Sequence, residues 1–317
     1  MTRSFPSLMS IEAFAALRAD PSQWLPIAID IARSHSLPCV DPHVFSTGSN
    51  LVVGLNSQMI LKIFPPLLRH QFVSERAALS QLHGRLSVPI PQIILEGERS
   101  QWPYLVLTRM SGVVGTEAWA GLPEDQKESV LAQIGEIIAG VQSIPAGGLS
   151  HLEPQWQQFI PRQIEGCRAR HERLGLPQKY LDGLERFLQD AATLIPMNAA
   201  PVILTGEYDP ENIFLSKHSG GWRLAGLIDF GDVMTGWGEY DLLGPSTFMS
   251  AGKPGRVRSL LRGFGYTKAN TDPALPRRLM TLLLLHRFSN LTTQICIEDW
   301  QEKAADLYQL ERLLWPI

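Results

Sequence analysis

Cysteine is scarce in this chain: Cys39, Cys167 and Cys296 are the only three in 317 residues, and they lie far apart. That scatter excludes a disulfide framework and a cysteine-based zinc site, and it points to reduced thiols in a cytoplasmic protein. Charge is sparse too, at 19% of residues with a net of −3 and no run of lysine or arginine, so there is no basic track for a nucleic acid. The start of the chain lacks a continuous apolar stretch behind a basic one, and no secretory leader is expected. The nearly all-apolar run Leu279 to Leu285 is too short to cross a bilayer and reads as a core helix. Repeats and low-complexity segments are missing as well. What is present, 44% hydrophobic residues, is enough for a substantial core, and the length allows about two domains.

The most informative polar residues come late. Thr205-Gly206-Glu207-Tyr208-Asp209-Pro210-Glu211-Asn212 leads into an apolar stretch, Ile213 to Leu215, and a second stretch, Leu224 to Ile228, ends on Asp229. Both stretches are predicted strands, which puts Glu207 and Asn212 on a loop and Asp229 at a strand end. Two carboxylates and a carboxamide so disposed suit phosphoryl transfer, which needs positioning and charge neutralisation more than covalent help. Asn212 and Asp229 offer hard oxygens of the kind magnesium prefers. Glu207 suits the group that orients an acceptor hydroxyl and takes its proton.

This segment resembles the catalytic loop of the aminoglycoside phosphotransferase and choline kinase superfamily, relatives of the protein kinases. The usual loop there reads His-Gly-Asp, four residues, then Asn. Glu207 and Asn212 keep that interval, Ile228-Asp229 matches the Ile-Asp pair, and Asp241-Leu242 falls where the family carries an Asp-Leu or Asp-Ile. Two departures stand out: Thr205 replaces the usual histidine and Glu207 the usual aspartate. The two acids differ in acidity by only about 0.4 unit. Geometry matters more, because a misplacement of about 1 Å in a positioned group costs on the order of 100-fold. Asp209 is a second nearby carboxylate, at a position that is not the base in the family.

The first part of the chain offers the partners that the resemblance requires. Met59 to Phe64 is an apolar run broken by Lys62, predicted to be a buried strand. A buried ammonium is costly unless paired, and the resemblance assigns Lys62 to the α and β phosphates of ATP. Its expected partner is Glu75, which shares a helical face with Phe72, Leu79 and Leu82 in the predicted helix Gln71 to His83, with Gly84 as its stop. Ser46-Thr47-Gly48-Ser49-Asn50 joins two strand ends at a suitable distance before Lys62, so Ser46, Gly48 and Ser49 are candidates for a turn over the phosphates. Tyr104 to Thr108 is another buried-strand run before a change of composition at 109–112. In the resembled family this is the hinge, where main-chain groups near Thr108 and Met110 bind adenine.

Further helices are expected over Pro123 to Ile144, Tyr180 to Leu194, Pro276 to Phe288 (with His286 inside it) and around Leu307 to Leu314. The resemblance implies an α+β, bilobal protein-kinase-like fold: a nucleotide-binding lobe over 1–110 with an antiparallel sheet and one pairing helix, and a larger, mainly helical lobe over 111–317. It implies ATP-dependent phosphorylation of a small-molecule hydroxyl with Mg2+, GTP remaining open, by a monomer or homodimer that binds neither nucleic acid nor membrane. An aminoglycoside-type antibiotic is the first acceptor expected, which would make the protein a resistance enzyme. Choline, an amino alcohol, a sugar or a macrolide are alternatives, as is a nucleotide-binding regulator with little turnover. For a cationic acceptor the candidate contacts are Asp209, Glu239, Glu298 and Asp299, with Trp237 and Trp300 as stacking or core residues.

Overall fold

The structure, a computed structural model, describes residues 3–8, 10–206 and 208–317. Its contacts divide it into two units. The first runs to Gly84 and adds Pro89–Ser111 and Ile228–Asp232; the second takes Arg85–Val88, Gly112–Leu227 and Val233–Ile317. The expected α+β architecture is found, with an antiparallel sheet in the first unit and most of the helices in the second.

In the first unit five strands, β1 (His43–Phe45), β2 (Leu51–Gly54), β3 (Met59–Ile63), β4 (Ile93–Arg99) and β5 (Trp102–Thr108), form an antiparallel sheet in the order β1-β2-β3-β5-β4. β3 is paired on both sides, which explains its apolar run. The alternation of a strand sends Leu61 and Ile63 into the core and turns Lys62 to the opposite face. Two helices not anticipated from the sequence, α1 (Ile11–Ala19) and α2 (Pro21–Ser34), share this core through Phe14, Leu17, Trp24, Ile27 and Ile31. Asp20 joins them, ending α1 and accepting from the Ser22 amide at 3.1 Å to begin α2, while Pro21 has its φ preset for the first turn. Ahead of both, Phe5 stacks on Trp102 at 4.6 Å and Pro6 accepts the Trp102 indole N–H.

The helix α3 (Arg69–Leu82) buries Gln71, Ser74, Glu75, Ala78, Leu79 and Leu82, a stripe at spacings of three and four. Phe72, expected on that stripe, sits beside it, half-buried against Phe64 at 5.6 Å. Gly84 follows at φ 70, a left-handed position where glycine carries no Cβ penalty.

The second unit holds strands β6 (Val113–Val114), β7 (Val202–Leu204), β8 (Ile213–His218), β9 (Gly221–Leu227) and β10 (Met234–Gly236), paired as β6-β8-β9 and β7-β10. Its central helix, Glu124–Gln142, buries the expected Val130, Leu131, Ile134, Ile137, Ile138 and Val141. It packs closely on Pro254–Phe264 because both carry a glycine at the crossing: a Cβ on Gly135 would collide with the Leu260 carbonyl, and one on Gly263 with that of Ala132. The helix expected over Tyr180 to Leu194 is three short ones, Gln178–Leu181, Leu184–Leu188 and Ala191–Leu194, parted near Gly183 and Asp190, both poor helix formers. The apolar helix is Leu275–Leu285, and His286 lies just past its end in extended backbone rather than inside it. Among the described residues no helix is long and apolar enough to cross a membrane.

Candidate functional site

In the first unit the strand alternation aims Lys62 at α3 and at the segment that follows β9. Lys62 is 7% exposed and Glu75 1%; the Lys62 Nζ lies 2.6 Å from a Glu75 oxygen and 3.0 Å from Asp229 Oδ1. One cation therefore serves two carboxylates. Burial works against the Lys62 charge, but Asp229 and Glu75 outweigh it and hold its pKa above the ordinary lysine value. Burial pushes the Glu75 carboxyl up to about 7 with Asp229 adding to the rise, whereas Lys62 overcomes burial at Asp229 and holds it below its usual range. Of the two acids Asp229 is the one shifted toward its ionised form. Asp229 also has φ 62, a left-handed backbone that Asp tolerates better than most residues, and its Oδ1 accepts from the Gly231 amide at 3.3 Å.

The turn between β1 and β2 is open. Ser46, Thr47, Gly48 and Ser49 are exposed, and Gly48 sits at φ 87 with nothing within 4 Å of where a Cβ would be. Its free side faces solvent, while side chains outside the turn fasten it: Arg18 of α1 donates to the Gly48 carbonyl, and Ser49 and Asn50 donate to Gln71 of α3. At the end of β5 the Thr108 amide donates to the Gln92 carbonyl and the Thr108 hydroxyl accepts from the Gln92 amide. The Thr108 amide is thus already engaged within the unit.

In the second unit the loop 205–212 joins β7 to β8. Glu207 lies outside the described residues. What holds the backbone on either side is plain: the two oxygens of Asp241 accept from the Thr205 amide at 3.1 Å and the Gly206 amide at 2.8 Å. Asp241 arrives there because β10 pairs antiparallel with β7, Met234 opposite Leu204, and the turn Gly238–Leu242 brings the chain back to the start of the loop. Further on, Asp209 Oδ1 accepts from the Glu211 and Asn212 amides at 2.8 and 3.2 Å, an Asx turn that sets Asn212 directly before β8.

Burial pushes Asp241 up to about 7 despite its two amide donors. A carboxyl raised in the folded state contributes stability that is full below its unfolded value near 4 and lost as pH rises through about 7. Glu75 acts in the same direction. The melting temperature is expected to fall between pH 5 and pH 8, and Asp241→Asn to flatten that slope in a calorimetric series. An unaltered slope would mean that Asp241 is ionised throughout.

The acceptor candidates fare unequally. Glu239 is buried, with one oxygen taken by Arg278 Nε at 2.5 Å and the other by Arg278 Nη2 and the Tyr266 hydroxyl at 2.8 and 2.5 Å, so its charge is spent inside the unit. Asp209 is engaged in its turn. Glu298 and Asp299 are exposed. Trp300 is core, packed on Tyr180 at 5.3 Å, and Trp237 is half-buried. His286 stacks on Tyr240 at 4.6 Å, and burial beside Arg287 and Arg170 drives its pKa down to about 3, leaving a neutral ring whose Nδ1 accepts from the Phe288 amide. In the first unit Gln71 links Asn50 to Asp232, and in the second Asp241 holds the loop 205–212. Of these only Asp241 carried a sequence signal.

Among the described residues no group of three or more His, Cys, Asp or Glu side chains converges as a metal cluster. Magnesium held between substrate phosphates and one or two carboxylates needs no such cluster, and the ionised Asp229 is the donor type it requires.

The model of a family described as "Phosphotransferase enzyme family" matches residues 46–279. Solved structures share the fold. That of wild-type aminoglycoside 2'-phosphotransferase-IIIa with GDP aligns with a TM-score of 0.69 at 18% identity, over 92% of this chain and 98% of that one. The streptomycin-ATP-APH(2")-IIa ternary complex gives 0.58 at 14%, over 83% and 90%. Macrolide 2'-phosphotransferase MphH from Brachybacterium faecium gives 0.55 at 16%, over 92% and 98%. At these identities the likeness concerns the fold.

Proposed function

We propose that this chain, which belongs to the phosphotransferase enzyme family, transfers a phosphoryl group from ATP, with GTP as the alternative donor, to a hydroxyl of a small molecule. The observation that carries this reading is Lys62, buried in an apolar strand and shared between Glu75 at 2.6 Å and Asp229 at 3.0 Å. An ion pair of that kind is costly to bury and contributes little net stability over apolar packing, so its value lies in what the ammonium and the free side of Asp229 can hold.

In this reading Lys62 binds the α and β phosphates and Glu75 keeps it in place. The amides around Ser46, Gly48 and Ser49 close over the phosphates, and main-chain groups near Thr108 and Met110 take the base, so that the nucleotide-binding lobe is 1–110. Asn212 and Asp229 would hold magnesium, whose charge, when Mg-ATP is bound, neutralises the phosphates. Glu207 orients the acceptor hydroxyl and accepts its proton, on a backbone steadied by Asp241 and by the Asx turn of Asp209.

An aminoglycoside-type antibiotic stands first among acceptors because several enzymes of like fold are named for aminoglycosides, one of them crystallised with streptomycin and ATP. A macrolide is the second, on the same ground. The charge argument for a cationic acceptor is weaker than the sequence suggested, since Glu239 is neutralised by Arg278; Glu298 and Asp299 remain as candidates. The test is mass-spectrometric detection of phosphate transfer from Mg-ATP to a panel of aminoglycosides, macrolides and amino alcohols, with Glu207→Gln in parallel. A product heavier by one phosphate, reduced about 100-fold or more in the variant, is expected. ATP binding with no product across the panel would favour a nucleotide-binding regulator.

A further inference from the structure

Gln71 occupies α3 one turn before Glu75 and is 7% exposed. Its Oε1 accepts from the Asn50 carboxamide at 2.9 Å and from the Ser49 hydroxyl at 3.2 Å, and Asn50 Nδ2 also lies 3.2 Å from the Ser49 oxygen. On its other side Nε2 donates to Asp232 Oδ2 at 3.2 Å. The partners fix which way the amide points, because a carboxylate only accepts and the Asn50 nitrogen only donates. The backbone is close as well: a Cβ on Gly231 would lie 3.3 Å from the Gln71 Cβ, so the segment Asp229 to Asp232 rests directly on α3.

Two successive turns of one helix thus reach the two ends of that segment. Glu75 meets Asp229 through Lys62, and Gln71 meets Asp232 directly. Of these two α3 residues, Gln71 also reaches the turn over the expected phosphates. Resting on the nucleotide-binding reading above, we infer that Gln71 is a positioning residue that couples the 46–50 turn to the Asp229–Asp232 segment, so that closure of the turn on a nucleotide and placement of Asp229 occur together. A carboxamide is the group this bridge requires, since one planar end accepts from the turn while the other donates to Asp232. Glutamate would set two carboxylates face to face, and methionine would offer neither contact.

The experiment is calorimetric titration of the full chain with Mg-ATP, comparing wild type, Gln71→Glu, Asp232→Asn and the double variant. Gln71→Glu is expected to weaken Mg-ATP binding about tenfold. The double variant is expected to return to within about threefold of wild type, because Asn at 232 can donate to the new carboxylate at 71; a merely structural Gln71 predicts no such rescue. Should the glutamate variant fail to fold, Gln71→Met replaces it, with the same tenfold loss and no rescue by Asp232→Asn. Unchanged affinity in the position-71 variants, or a Gln71→Glu/Asp232→Asn double variant no better than the sum of its singles, overturns the coupling alone; with methionine at 71, a rescue by Asp232→Asn overturns it as well. A wild-type protein that does not bind Mg-ATP overturns the nucleotide reading and the coupling with it.

Discussion

Asp229→Asn is expected to lower phosphate transfer from Mg-ATP by a factor of about 1,000 while leaving the melting temperature within a few degrees of wild type. The two halves of that expectation have separate causes. In the role proposed for Asp229, a positioned charge at the metal contributes to the transition state on the scale of about two to three powers of ten, and the carboxamide removes it. Stability survives because the substitution disturbs little else. Asn is among the few residues at home at φ 62, where alanine would add strain of about 1 kcal/mol or more. Lys62 keeps Glu75 at 2.6 Å, so no cation is stranded. The carboxylate of Asp229 is also one of the influences that raise Glu75, so its loss lets Glu75 ionise more readily beside Lys62. Steady-state turnover and scanning calorimetry on the same sample check both halves, and a variant with normal turnover would remove Asp229 from the metal site.

Lys62 and Glu75 were legible in the sequence because a charge in an apolar periodic run contradicts its neighbours, and two such contradictions on facing elements resolve each other. Asp241 was legible as a position in a family pattern. Its action was not, because its bonds to the Thr205 and Gly206 amides depend on β10 pairing with β7, and β10, Met234-Thr235-Gly236, is too short and mixed to read as a strand. Glu239 shows the opposite limit: local sequence presents it as an acid two residues from Asp241, and only the fold reveals Arg278, thirty-nine residues further on, as its counter-ion. Gln71 and Asn50 escaped notice because a neutral amide violates no pattern when buried. The helices α1 and α2 escaped because their burial follows from packing on Trp102 and the sheet, and the apolar spacing in α1 is slight. The break of Tyr180 to Leu194 into three pieces was readable in principle from Gly183 and Asp190, but flanking leucines and phenylalanine at helical spacing obscured it.

Lys62→Met is expected to abolish turnover and to cost the fold about 3–5 kcal/mol, the largest stability effect of any single change at the site. The cost comes from what stays behind: Glu75, 1% exposed, and Asp229 would share a buried space with no cation between them. The pH dependence identifies the cause. Glu75 is already raised to about 7 by burial with Lys62 present, and Lys62 is the influence holding it down. Without Lys62 its folded pKa rises further, so the variant's stability is greatest where Glu75 is a neutral acid and is lost as pH climbs through that higher value. The melting gap between wild type and variant should therefore be wide at pH 8 and narrow toward pH 5.5. Lys62→Arg, which preserves the charge, is expected to close most of the gap at both pH values and still transfer phosphate poorly, since a planar fork does not place its donors where a compact ammonium does. A melting gap that does not change with pH would show that the cost arises from lost packing around the lysine stem, and Glu75 would then not be the acid that Lys62 neutralises.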